Sequence, residues 1–348
     1  MSTTQNRAAL GQAIRHTLLF GVCAGILTGC SYYHGLRDYG GSPKFRKGVI
    51  PCVSFPNKFI GPDRLGKHCY HYSVKERSGI VYTTKAGHLD IAHVRKSADW
   101  TAYLAAECLE NILAGKCAWQ FALREPTRYC VTVEYPADWA SLENRDEIAE
   151  EVAIGLGEYF AYNATVWHEI LTWFGYKSSR AVSEFASAFS WEDNFSNLLG
   201  TTLSAQALRD KEHLYNEAMT IELDMALQSL DAQPMELAEQ TARDVRGEWY
   251  IVGFPIFMDV IKRNLDIGED GIVESVTREG EGFAMLIPDK GWEDYGFKMT
   301  LELQPRGFQT MAIRKLVAKD RILPDDDFTT LMDVIELDAH RRGYDVIR

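Results

Sequence analysis

Residues 146–176 read DEIAEEVAIGLGEYFAYNATVWHEILTWFGY, and this stretch decides the fold. Val152, Leu156, Phe160, Asn163, Trp167, Leu171 and Phe174 recur at helical spacing. That is the stripe of one long amphipathic helix, not the alternation of a strand. Counting about 100° per residue from Glu158, the stripe centres at about 170°, Glu169 falls at about 20° and His168 at about 280°. Glu169 therefore lies across from the apolar stripe and faces either water or a second covering segment. Ala161 and Ala164, beside His168, leave room for such a segment.

The flanking sequence supplies the elements such a helix packs against. Upstream, residues 79–84 and 131–135 read as strands from their β-branched content and alternation. Residues 100–114 read as a helix with Leu104, Cys108 and Ile112 on one face and Gly115 at its stop. Downstream, short helices are expected near 180–188 and 194–199. Gly200 is read as a C-terminal cap, and Ser204 as the N-cap of a longer helix to about residue 230. The character then changes, with strands expected over 249–257, 283–288 and 297–304. In the last of these Phe297, Met299, Leu301 and Leu303 alternate with polar residues, as in a half-buried antiparallel strand. A closing helix over 326–342 stops at Gly343. The fold class is α+β, a helix-rich central body with a smaller antiparallel-sheet region toward the C-terminus. The expected organisation is a leader peptide over 1–29, an irregular segment over 30–80, and a single compact domain over 81–348. That domain is helix-rich to residue 245 and mixed from 246.

The first 29 residues read as a processing segment. Arg7 and Arg15 form a basic start, and residues 18–27 (LLFGVCAGIL) form an apolar run too short to span a bilayer. The run ends in Leu27-Thr28-Gly29-Cys30, which resembles the bacterial lipobox, so Cys30 is the expected lipidation site. Ser31 after it points to the outer membrane, with the body facing the periplasm. A palmitate-bearing N-terminus would be the tether, since each buried CH₂ contributes about 0.8 kcal/mol. Removing Arg7 and Arg15 takes the formal charge from −12 to −14. So acidic a body excludes nucleic acid as a partner, because phosphate contacts need basic patches. Besides Cys30, the body keeps Cys52, Cys69, Cys108, Cys117 and Cys130. None forms a C-x-x-C pair, which argues against a zinc ribbon. Disulfides between Cys52 and Cys69, or between Cys108 and Cys117 or Cys130, stand beside free thiols as alternatives.

Three patches carry candidate chemistry. In Gly87-His88-Leu89-Asp90-Ile91-Ala92-His93, two imidazoles and a carboxylate lie close enough in sequence to chelate a metal. If the segment is helical, Asp90 and His93 share a face; if it is extended, His88 and Asp90 do. In Trp167-His168-Glu169-Ile170-Leu171-Thr172, Thr172 stands where the zincin motif needs its second histidine, so a metalloprotease is not assigned. In Ser190-Trp191-Glu192-Asp193-Asn194-Phe195-Ser196-Asn197, several oxygen ligands share one turn, with Asp193 or Asn194 alternatively a helix N-cap. The Asp266–Gly271 stretch lacks the final glutamate of an EF-hand and reads as a turn. His68 and His71, near Cys69, form a weaker cluster.

The stretches GHLDIAHVRKSADWTAYLA, YNATVWHEILTWFGY and FSWEDNFSNLLGT together resemble the uncharacterised bacterial lipoprotein family called domain of unknown function 4056. The resemblance implies no activity, substrate or cofactor. The residues themselves support a metal-dependent hydrolase. His88, Asp90, His93 and His168 would be metal ligands, for zinc or another divalent metal, and Glu169 and Asp193 the catalytic carboxylates. The substrate class would be an envelope polymer or lipid. The alternative is a non-catalytic binding or assembly lipoprotein of the envelope, with aromatic residues as its recognition face.

Overall fold

A computed structural model describes residues 59–70, 75–177, 184–253, 257–278, 280–307 and 310–348. The expected leader over 1–29, Cys30, Cys52 and His71 lie outside the described residues. Among the described residues, seven α-helices and a set of small sheets form an α+β fold. In chain order, the hairpin β1 (Ile80–Thr83) and β2 (Gly87–Asp90) leads into helix α1 (Ile91–Leu113). Strands β3 (Ala118–Phe121) and β4 (Thr127–Glu134) follow, then the long helix α2 (Arg145–Trp173). Helices α3 (Asp193–Arg209), α4 (Tyr215–Ser229) and α5 (Met235–Asp244) complete the helical part. Strands β5 (Tyr250–Gly253), β6 (Phe257–Val260), β7 (Lys262–Asn264), β8 (Ile272–Glu274), β9 (Ala284–Leu286) and β10 (Lys298–Pro305) come next. Helices α6 (Met311–Val317) and α7 (Pro324–Arg341) and strand β11 (Asp345–Ile347) end the chain.

The largest sheet has the order β10-β4-β3, all antiparallel, with Leu301 opposite Val131. Leu301 and Leu303 are buried while Lys298 and Thr300 are exposed, which is the expected alternation. One pairing departs from the antiparallel expectation: β11 runs parallel to β7, returning the C-terminus to the middle of the chain.

One hydrophobic cluster runs from Ile60 to Ala339 and holds α1, α2 and α3 together. Part of the irregular segment belongs to it, since Leu65 and Tyr70 are 2% exposed. The long helix is not half-buried as its stripe implied. From Tyr159 to Trp173 every residue except His168 is buried. Two glycines make the close three-helix packing sterically feasible. A Cβ at Gly157 would sit 2.8 Å from the Thr101 carbonyl oxygen on α1, and one at Gly200 would sit 2.1 Å from the Val94 carbonyl oxygen. Gly200 therefore lies inside α3 as a contact point and does not cap a helix end. Ser204 likewise starts nothing: its hydroxyl donates to the Ala98 carbonyl at 2.9 Å, and the next helix begins at Tyr215. Cys108, Cys117 and Cys130 are free thiols.

Candidate functional site

The junction of α1, α2 and α3 is polar at one end, and its construction begins at Asp90. The chain changes there from strand to helix, so each sequence alternative for residues 87–95 holds in part. Asp90 has extended backbone, with φ −86° and ψ 103°, and its Oδ1 accepts from the Ala92 N–H at 2.7 Å, capping α1. Its Oδ2 meets His93 Nδ1 at 2.8 Å, and its own N–H donates to Ser196 Oγ on α3 at 3.0 Å. His93 Nδ1 is also 3.4 Å from Asp193 Oδ1, on the first residue of α3. Asp193 Oδ2 accepts from the Ser190 N–H at 3.0 Å. Glu169, from α2, accepts the Phe189 N–H on Oε2 at 3.0 Å.

Phe189 holds a left-handed backbone, φ 54°, which costs a non-glycine residue about 1 kcal/mol or more. Its fully buried ring, its bond to Glu169 and its carbonyl, which accepts from Asn264 N–H at 2.9 Å, keep it there. This strained turn swings Trp191, Glu192 and Asp193 back toward α1.

One ligand atom each from His93, Glu169 and Asp193 lies within 4.8 Å of the others. These residues come from three helices and from the three separate patches of the sequence. Asp90 and Glu192 stand beside them, giving four nearly buried carboxyl groups around one imidazole that is 14% exposed at its side chain. The electrostatics reflect that crowding. Burial, followed by repulsion from Glu169, Glu192 and Asp90, holds the Asp193 carboxyl well above the usual carboxylate range. Burial likewise pushes Glu192 up to about 8, although the Ser190 hydroxyl donates to its Oε2 at 2.5 Å. His93 Nδ1 thus lies between two carboxylates, at 2.8 Å from Asp90 and 3.4 Å from Asp193.

The other two sequence-assigned histidines stand elsewhere. His88, on β2, is buried between Tyr82 and Trp191, with ring centroids at 5.1 and 6.1 Å, and its Nε2 is 3.2 Å from Thr241 Oγ1 on α5. Burial lowers its pKa to about 4, so it packs as a neutral ring. His168 turns away from its neighbour Glu169, as their 100° separation on a helix requires. Its Nδ1 lies 2.8 Å from Glu125 Oε1, in the loop between β3 and β4, with Tyr176 edge-on at 6.0 Å. The histidines brought into the ligand group thus reduce to His93. Glu169 and Asp193, read as catalytic carboxylates, sit at ligand distance themselves. Glu125 carried no sequence signal at all. His68 is absorbed in a buried network, 3.1 Å from Asp99 and 3.5 Å from Glu76. The Asp266–Gly271 stretch is a turn, with Asp266 accepting from the Gly268 and Glu274 N–H groups.

Against this geometry, one comparison is informative. The family described as protein of unknown function (DUF4056) matches residues 48–276, well over half of the chain. The chain belongs to that family. The matched region includes every residue of the His93–Glu169–Asp193 group together with Asp90 and Glu192. It ends before β9, so the β10 strand and the closing helix α7 lie beyond it. No curated protein and no solved structure matches the chain. No helix among the described residues is long and apolar enough to cross a membrane.

Proposed function

We propose that this family member is a divalent-metal-dependent hydrolase of the bacterial envelope, tethered through a lipid on Cys30. The observation that carries the catalytic half is the convergence of His93, Glu169 and Asp193 from three helices to within 4.8 Å. Glu169, Glu192 and Asp193 are buried carboxyls, and a divalent metal bound among them would offset the cost of burying them. A metal held by His93, Glu169 and Asp193 would supply Lewis-acid chemistry, lowering the pKa of water in the site. A carboxylate of the cluster would hold the proton that hydrolysis takes from water and returns to the leaving group. The tether rests on Leu27-Thr28-Gly29-Cys30 after its basic and apolar run. It would confine the chemistry to substrates at a membrane face, such as an envelope polymer or lipid.

The test uses full-length protein, without a histidine tag, purified in detergent. Elemental analysis should find about one metal per chain, and a chelator should lower its melting temperature reversibly. Metal-free protein whose melting temperature ignores chelator and added divalent metal rejects the hydrolase reading. Independently, Cys30→Ala should abolish labelling by palmitate; labelling that persists rejects the tether.

A further inference from the structure

Asn197 stands one helical turn after Asp193 and is 1% exposed. Neither its Oδ1 nor its Nδ2 finds a hydrogen-bond partner among the described residues. A buried primary amide with both ends unpaired is rare in folded proteins and calls for an occupant. The surroundings say where that occupant lies. The α3 face that meets α1 is the row Asp193, Asn197, Gly200, Ser204, at four- and three-residue steps. At its far end Gly200 presses on the Val94 carbonyl and Ser97, and Ser204 donates to Ala98. Backbone touches backbone there, and no ligand fits below Asn197. Side chains on a helix lean toward its N-terminus, over the preceding turn. The Asn197 amide is therefore directed back toward Asp193, into the end of the junction that holds His93 and Glu169.

We infer that Asn197 Oδ1 is a further ligand of the metal centre, which makes its donor set one imidazole, two carboxylates and an amide carbonyl. The inference rests on the metal-site reading above and adds a residue to it. Three oxygens with one nitrogen favour a harder ion such as Mn²⁺ over the sulfur- and nitrogen-rich sets of structural zinc.

The experiment titrates full-length wild type, Asn197→Leu and Asn197→Asp in detergent with Mn²⁺, following melting temperature and calorimetric binding. Wild type should bind. N197L, close in shape but without donors, should lose roughly tenfold to a hundredfold in Mn²⁺ affinity while its metal-free melting temperature stays level or rises. N197D, which keeps an oxygen in place, should bind Mn²⁺ at least as tightly as wild type. N197L that binds Mn²⁺ like wild type overturns the inference and leaves the metal centre standing. If N197L does not fold, N197D decides, and weaker binding by N197D overturns it. A wild type that takes no metal removes the hydrolase reading itself, an outcome distinct from the failure of Asn197 alone.

Discussion

Helix α1 carries two buried polar clusters, about 200° apart around its axis, at His93 and Arg95. The Arg95 side is balanced. Its guanidinium pairs with Glu76 and donates to the carbonyls of Leu65 and Gly66 at 3.2 and 3.0 Å, while His68 lies between Glu76 and Asp99. That network fastens the irregular segment to the helix. The His93 side gathers four buried carboxyls and one imidazole. Lys96 and Arg263 act on Asp193 from a distance, but among the described residues neither makes an ion pair with any of the four. Equal burial with different partners separates a guanidinium-held fastening from the proposed ligand site, and each cluster can be pressed where it differs.

The largest effect is expected on the balanced side. Arg95→Ala removes the guanidinium from buried Glu76 and from the Leu65 and Gly66 carbonyls and should cost about 3–5 kcal/mol in urea unfolding. A loss under about 1 kcal/mol would mean that the network is not what holds residues 65–70, 75 and 76. On the other side, His93→Ala should leave the metal-free fold nearly unchanged and reduce metal affinity by more than about a hundredfold. Asp90→Asn should reduce affinity by about tenfold to a hundredfold, because toward the metal it would act through His93. Calorimetric titration ranks the two, and the reverse order would make Asp90 the ligand.

The long helix and the alternating β10 strand were legible in the sequence, because periodicity reports burial directly. Glu169 was ambiguous because a period reports one face, whereas α2 is covered all round between Tyr159 and Trp173. All three members of the ligand group lay in the patches singled out from sequence. Their grouping with His88 and His168 did not follow, because it depends on how helices cross. That crossing is written in Gly157 and Gly200, and a glycine in a helical sequence reads equally well as an end. Asn197 sat inside the third patch without distinction, since a missing hydrogen bond has no sequence signature.

A subtler pressure is pH on the metal-free protein. Glu192 is raised in the folded state from 4.5 to about 8, so folding favours its protonated form. The stability this provides is complete below about pH 4.5 and is lost as pH rises through about 8. Glu192→Gln should flatten that decline in melting temperature across the same window, and an unchanged slope would assign it to other groups. The smallest effect belongs to an exposed pair used as a control. Arg209→Ala removes the 2.6 Å contact with Glu151, both side chains being 40% exposed, and should cost about 0.2–1 kcal/mol without altering metal affinity.

Gly200 would have a bearing on which ion the proposed centre admits. Its missing side chain lets α3 rest on the α1 backbone one turn below Asn197, so it works as a spacer of zero thickness between the helices that carry Asp193 and His93. A methyl group there would act as a wedge, spreading the donors apart from below. The aperture would then widen, and with it the ionic radius that fits. In this family member, selectivity for a cation would be tuned by a residue with no atom to offer it.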